Sequence, residues 1–189
     1  QTINLDARKL PPVMDSVRAM VLHQVGNAYS IFGEWDSAIH YANQTLEIRH
    51  RILPPNHLTI AYSENSLGVA YSYLEEYEES LRHYHKAESI LEERLRPGHT
   101  QTIQIKTNIA VLYEDLGLFW EALDRHKENL KYVDQLAPEA QMAAYFNLGS
   151  TLGVLGDAEE ALRYMDLTEA VFDQYPQVNP IMKSKILAE

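Results

Sequence analysis

The sequence predicts an all-α fold, a right-handed superhelical solenoid built from antiparallel helical hairpins. Three observations predict it. The chain aligns with itself at a nearly constant offset, each repeated unit holds two blocks of apolar residues at helical spacing, and glycine or proline marks most of the breaks between blocks.

Setting Gly26 on Gly68 superposes Tyr29 on Tyr71, Trp35 on Tyr77, Ala38 on Ser80, Ile48 on Ile90, Pro55 on Pro97 and His57 on His99, an offset of 42 residues. A second step of 42 carries Gly68 to Ala110, Tyr71 to Tyr113, Tyr77 to Phe119 and Ser80 to Ala122. A further step of 39 takes Ala110 to Gly149, Tyr113 to Leu152, Gly117 to Gly156 and Ala122 to Ala161. The single array over residues 1–189 therefore divides into repeats at 17–58, 59–100, 101–138 and 139–175, with residues 180–189 opening a further or capping helix.

The helical blocks run Val17 to Ile31 with Trp35 to Ile52, Ile60 to Leu74 with Tyr77 to Leu95, Ile103 to Leu116 with Phe119 to Leu136, and Ala140 to Leu155 with Ala158 to Gln174. Within hairpins, Gly33, Gly117 and Gly156 suit the left-handed residue that ends a helix, and Glu75 departs from that pattern. Between hairpins, Pro54-Pro55 and Pro97-Gly98 stop the second helix, Thr59 or Thr100 is the expected N-cap of the next, and Pro138 opens the fourth unit. Small residues at Gly26, Gly68, Ala110 and Gly149 let the paired helices approach, with Ala38, Ser80, Ala122 and Ala161 opposite and Trp35, Tyr77 and Phe119 filling the space left over. Leu10-Pro11-Pro12 echoes Leu53-Pro54-Pro55, so residues 1–10 read as the tail of a preceding unit and the chain as a piece of a larger parent.

Leu67-Gly68 with Tyr71, followed by Ser80, Tyr84 and Ala87, resembles the tetratricopeptide pattern of Leu-Gly, Tyr, Ala, aromatic and Ala. The period of 42, together with Leu46-Glu47-Ile48-Arg49 leading to Leu53-Pro54-Pro55-Asn56-His57, resembles the kinesin light chain variety of that repeat. That resemblance covers Val17 to about Tyr175. It implies that the first helix of each hairpin lines a concave, ligand-binding surface.

Bulk composition narrows the function classes. With 46% hydrophobic and 23% charged residues the chain has the composition of a folded domain. A formal net charge of -11 opposes the counterion release on which nucleic-acid binding depends, so nucleic acid is not an expected partner. No apolar run reaches transmembrane length and no secretory leader is visible, so no membrane partner is expected. Cysteine is absent, which removes thiolate chemistry and fits the cytoplasm.

No residue pattern suggests catalysis, a cofactor or a metal. His83 and His85 lie two apart and point to different faces, unlike the i, i+4 pair of a zinc helix, and His57 and His99 are equivalent turn residues with a structural role. The carboxylates of Glu75, Glu76, Glu78 and Glu79 read as a solvated outer face. Gly149-Ser150-Thr151-Leu152-Gly153 lacks the serine placement and the strand of a nucleophile elbow.

The first helices are nearly free of formal charge. Their inward positions hold His23, Gln24, Asn27, Ser30, Tyr62, Asn65, Ser66, Tyr73, Gln104, Thr107, Asn108, Phe146, Asn147 and Ser150, a neutral strip rich in amides and aromatics. Side-chain amides donate and accept at once and so match peptide groups of any sequence. Lys106 is the one basic residue that first-helix face offers toward an acidic tail, so a carboxylate clamp is rejected. The expected function is a non-catalytic scaffold binding a partner peptide or helix in its concave groove, the partner being another protein or another domain of the same parent. The alternative is a sensor or autoinhibitory domain of a larger NTPase or transcription-type regulator, and self-association through terminal hairpins is a further possibility.

Overall fold

A computed structural model of the chain describes residues 12–175, and among them eight α-helices, one 3₁₀ turn and no strand. The expectations for residues 1–10 and 180–189 lie outside the described residues. The chain divides between Arg96 and Pro97 into two compact units. In the first, α1 (Pro12–Ile31) packs on α2 (Trp35–Ile52), α2 on α3 (Leu58–Tyr73), and α3 on α4 (Tyr77–Arg94). In the second, α5 (Thr100–Asp115) packs on α6 (Phe119–Leu130), and α6 on α7 (Pro138–Val154), which pairs with α8 (Ala158–Gln174).

The turns inside the four hairpins share one hydrogen-bond pattern. The backbone N–H groups of Glu34, Glu76, Leu118 and Asp157 donate to the carbonyls of Tyr29, Tyr71, Tyr113 and Leu152 at 3.0, 2.9, 2.8 and 2.9 Å. This is the six-to-one closure of a helix C-terminus, and it needs a left-handed residue just before the donor. Gly33, Gly117 and Gly156 supply it in three hairpins, and in the fourth Glu75 takes a φ of 60°. A side chain there costs about 1–2 kcal/mol, which the rest of that hairpin must offset.

The core of each hairpin is a close helix contact. Gly68 and Ser80 are buried, and the Ser80 hydroxyl donates to the Gly68 carbonyl at 2.7 Å. A Cβ on Gly68 would lie 2.5 Å from the Tyr84 ring, so glycine is required by that aromatic rather than by its own dihedral angles. The aligned residues differ along the chain: Ala110 and His126 in the third hairpin are both buried, a Cβ on Gly149 would meet the tip of Met165 at 3.0 Å, and one on Gly26 would lie 3.4 Å or more from its neighbours.

Three expectations need correction. The stretch Phe119 to Leu136 is not one helix, because α6 ends at Leu130 and a 3₁₀ turn spans Val133–Gln135. The chain tightens there through i−3 bonds, Tyr132 N–H to Asn129 O and Leu136 N–H to Val133 O, both at 3.0 Å. That turn buries Val133 and Leu136 and lays Tyr132 over Gly98, where a Cβ would lie 2.4 Å from the ring. Second, neither Thr59 nor Thr100 is an N-cap. His57 and His99 hold those places in extended conformation, and their Nδ1 atoms accept from the N–H of Thr59 and Gln101 at 3.2 Å. The imidazole thus does what a short oxygen side chain does elsewhere. Third, α1 begins at Pro12, five residues before Val17, since proline is tolerated in a helix's first turn.

Replacing Gly68 by Ala should lower stability by about 1–3 kcal/mol through overpacking. Adding Tyr84→His, which copies the pair Ala110 and His126, should make the double variant lose less than the two single losses summed. Urea unfolding of the four proteins in the cycle measures it.

Candidate functional site

In the first unit, α1 and α3 carry half of the amide and aromatic strip. His23, Asn27 and Ser30 fall on one face of α1 at i, i+4 and i+7, all half-buried, with Gln24 exposed beside them. The Asn27 amide nitrogen lies 3.5 Å from His23 Nε2, so these two residues meet. On α3, Tyr62, Asn65 and Ser66 are half-buried, and Ser66 turns its hydroxyl back to the Tyr62 carbonyl at 3.0 Å. Tyr73 stands apart from them at the end of α3. It is 65% exposed, and its ring stacks on Trp35 at 4.1 Å and 5°, so this aromatic belongs to the hairpin end as much as to the strip.

In the second unit, Gln104 and Ser150 are exposed, and Asn108, Phe146 and Asn147 are half-buried. Thr107 is engaged within the fold. Its hydroxyl donates to the Ile103 carbonyl at 3.0 Å and accepts from the buried Asn129 amide at 3.1 Å, stitching α5 to α6. Asn147 offers its backbone carbonyl to Thr151 at 2.8 Å.

Sequence reading missed a set of buried polar groups. Glu64, 2% exposed, accepts from His83 Nδ1 at 2.5 Å, and Arg82 donates to His83 Nε2 at 2.9 Å while also bonding Glu79. Tyr71 covers the imidazole, its ring 5.4 Å away and nearly parallel. Both ring nitrogens are engaged, and the carboxylate and imidazole pair joins α3 to α4. Residues 64 and 83 lie on different helices of one hairpin, which sequence spacing alone does not bring together. The signal that could have found them is a charged residue on an otherwise uncharged first-helix face. His85, by contrast, is exposed, so the two histidines point apart as their spacing requires. Glu114 plays a similar part in the second unit, bonded by Thr151 and lying 3.3 Å from His126 Nε2. Among the described residues no three His, Asp or Glu side chains converge as metal ligands.

Arg49 is a second missed residue. It is 6% exposed, where the equivalent positions bury Leu91 and Val133, and its Nη1 donates to the Thr59 carbonyl at 2.5 Å and Ser63 Oγ at 2.6 Å. Burial pulls its pKa below the ordinary value. Burial, and then the Arg49 charge, also lower the pKa of His23, whose Nδ1 is buried with no partner among the described residues.

Residues 17–93 and 59–132 match the sequence model of the tetratricopeptide repeat. The chain belongs to the tetratricopeptide repeat family. No curated protein sequence matches it. Among solved structures it is similar to BtubC (BKLC) from P. vanneervenii, with a TM-score of 0.82 at 18% identity over 92% of this chain and 69% of that one. A putative kinesin light chain with nearly identical TPR-like repeats from Podosopora anserina aligns with a TM-score of 0.73 at 19% identity, covering 84% and 76% of the two chains. Aspartyl phosphate phosphatase F from Bacillus subtilis aligns with a TM-score of 0.77 at 19% identity, over 85% of this chain and 41% of that one. The fold is therefore an all-α tetratricopeptide solenoid whose repeats resemble the kinesin light chain type, generally a protein interaction scaffold. Among the described residues no helix is long and apolar enough to cross a membrane.

The lowered pKa of His23 makes stability depend on pH. As pH falls through the ordinary value of 6.5, the unfolded chain takes up this proton before the folded one, so stability declines from there downward. A His23→Gln variant should show a shallower loss of melting temperature between about pH 7 and pH 5 than the parent.

Proposed function

We propose that the protein is a non-catalytic scaffold that holds a partner's peptide or helix against its first helices. The observation that carries this reading is the character of those helix faces. Gln24, Asn27 and Asn65 in the first unit, and Gln104, Asn108 and Asn147 in the second, are amide side chains on helices whose buried faces are already committed to the core. Amides at this density can bond an extended backbone irrespective of its side chains, leaving discrimination to Tyr62, Tyr73 and Phe146. A solved relative of the same fold, at 19% identity, is a Rap protein complexed with competence and sporulation factor, which favours a peptide as the kind of ligand such an array takes.

A second reading is favoured by one observation. This chain corresponds to 45% of that Rap protein and 41% of aspartyl phosphate phosphatase F, so an array of this size also occurs as one part of a longer regulator. On that reading the bound segment comes from another domain of the parent. Adding this array in trans to the remainder of the parent should then suppress the remainder's activity, and unchanged activity removes the idea.

Alanine at Asn65, Asn108 and Asn147, introduced singly, should each weaken partner capture by about 5- to 10-fold, the loss of one or two good hydrogen bonds. Melting temperatures should stay within a few degrees of the parent. Affinity unchanged in all three would discard the first-helix surface as the binding face.

A further inference from the structure

The first unit holds a trough away from the amide strip, and we propose that it binds an extended peptide in which an acidic and an aliphatic side chain stand two residues apart. The trough has a volume of about 550 Å³ and lies between the end of α2 and the outer face of α4, with α3 as its floor. The trough is shallow and open, with room for an extended segment to lie along it.

Its polarity is graded along one direction. On α4 the wall is formed by Arg82, Lys86, Ser89 and Ile90, a single helical face two turns long, which amounts to about 12 Å. The contact of Gly68 with Ser80 and Tyr84 sets α3 antiparallel to α4. Glu64 accordingly lies beside Lys86, and the floor ends at Ile60. One end is thus apolar, made by Pro55, Ile60 and Ile90, and the other is charged, with His50 and His85 completing the rim.

The charged end holds its two cations in ion pairs, and the longer of these is Lys86 with Glu64. Arg82 is already bonded to Glu79, and the buried Glu64 carboxylate is taken by His83 at 2.5 Å. Lys86 Nζ lies 3.9 Å from Glu64, beyond hydrogen-bond reach, and its side chain is 50% exposed. An incoming carboxylate can bond this ammonium. From Lys86 to Ile90 is four residues of helix, about 6 Å, close to the separation of about 6.6 Å between alternate side chains of an extended strand. A carboxylate on Lys86 and an aliphatic group on Pro55 and Ile90 therefore match residues i and i+2 of one peptide. Such a motif would give this acidic chain a way to hold an acidic partner that its net charge of -11 otherwise repels.

The test uses end-blocked, fluorescein-labelled Ser-Leu-Ser-Glu-Ser and Ser-Glu-Ser-Leu-Ser, and the same two peptides with Gln for Glu, titrated into the whole chain by polarisation. One orientation of the Glu peptide should bind about fivefold or more tighter than its Gln counterpart. Lys86→Gln should erase that preference. Ser89→Trp, an exposed position that fills the trough without touching the core, should abolish binding, while Asn65→Ala leaves it unchanged. Equal binding of Glu and Gln peptides in both orientations, a preference that survives Lys86→Gln, or binding lost in Asn65→Ala but kept in Ser89→Trp would each overturn the proposal. The last of these results would place the peptide on the first helices and leave the amide-strip reading intact.

Discussion

The structure depends on how closely two helices can approach within each hairpin. At Gly68 the approach is limited by the ring of Tyr84, and it brings the Ser80 hydroxyl to the facing carbonyl. Close packing means that a methyl group added on one side must be removed from the other. That limit is felt at Gly68 against Tyr84 and at Gly149 against Met165, while Gly26 has room for a methyl group. Once this contact is set, the antiparallel register follows, and with it the position of every outward side chain on the first helices and of the trough along α4.

A second consequence concerns polar groups inside the units. Glu64 with His83, Arg49 with Ser63, and Asn129 with Thr107 are buried where an apolar side chain would be cheaper to place. Each is satisfied by a partner on the neighbouring helix, so each bond joins two elements rather than decorating one. On the proposed reading this would serve the binding surface, since helices tied together from beneath would present Asn27 and Asn65 with little further ordering when a ligand arrives.

The hairpins were legible in the sequence because their signals are local. Helix breaks at Gly33, Gly117 and Gly156 and the two-block periodicity gave the helix pairs, and even Glu75 kept the turn that its aligned glycines require. The break in the sixth helix was not legible. Leu130, Val133 and Leu136 continue the helical spacing of apolar residues, and the 3₁₀ form appears where Tyr132 lies over Gly98, a contact that sequence spacing does not show. Capping by His57 and His99 was hidden for another reason, since the threonines beside them have the higher capping propensity and the imidazole acts only in an extended backbone. For the candidate site, residue positions on the helix faces followed from periodicity. The dyad of Glu64 with His83 and the trough did not, because both depend on which side chains of different helices come together in space.

Arg49 gives the first unit a mark that its aligned positions, Leu91 and Val133, lack. Arrays of this kind are prone to assemble the wrong neighbours during folding, because one second helix resembles another. If α2 were seated on α5, the aligned residue opposite its guanidinium would be Ile105 in place of Ser63, and on α7 it would be Ala144. Either pairing would strand a buried cation without the hydroxyl it now bonds, and leaving a charge so exposed to apolar surroundings costs several kcal/mol, of the order of 3–5. The two bonds that tie Arg49 to α3 thus also favour α3 over the aligned helices as the neighbour of α2.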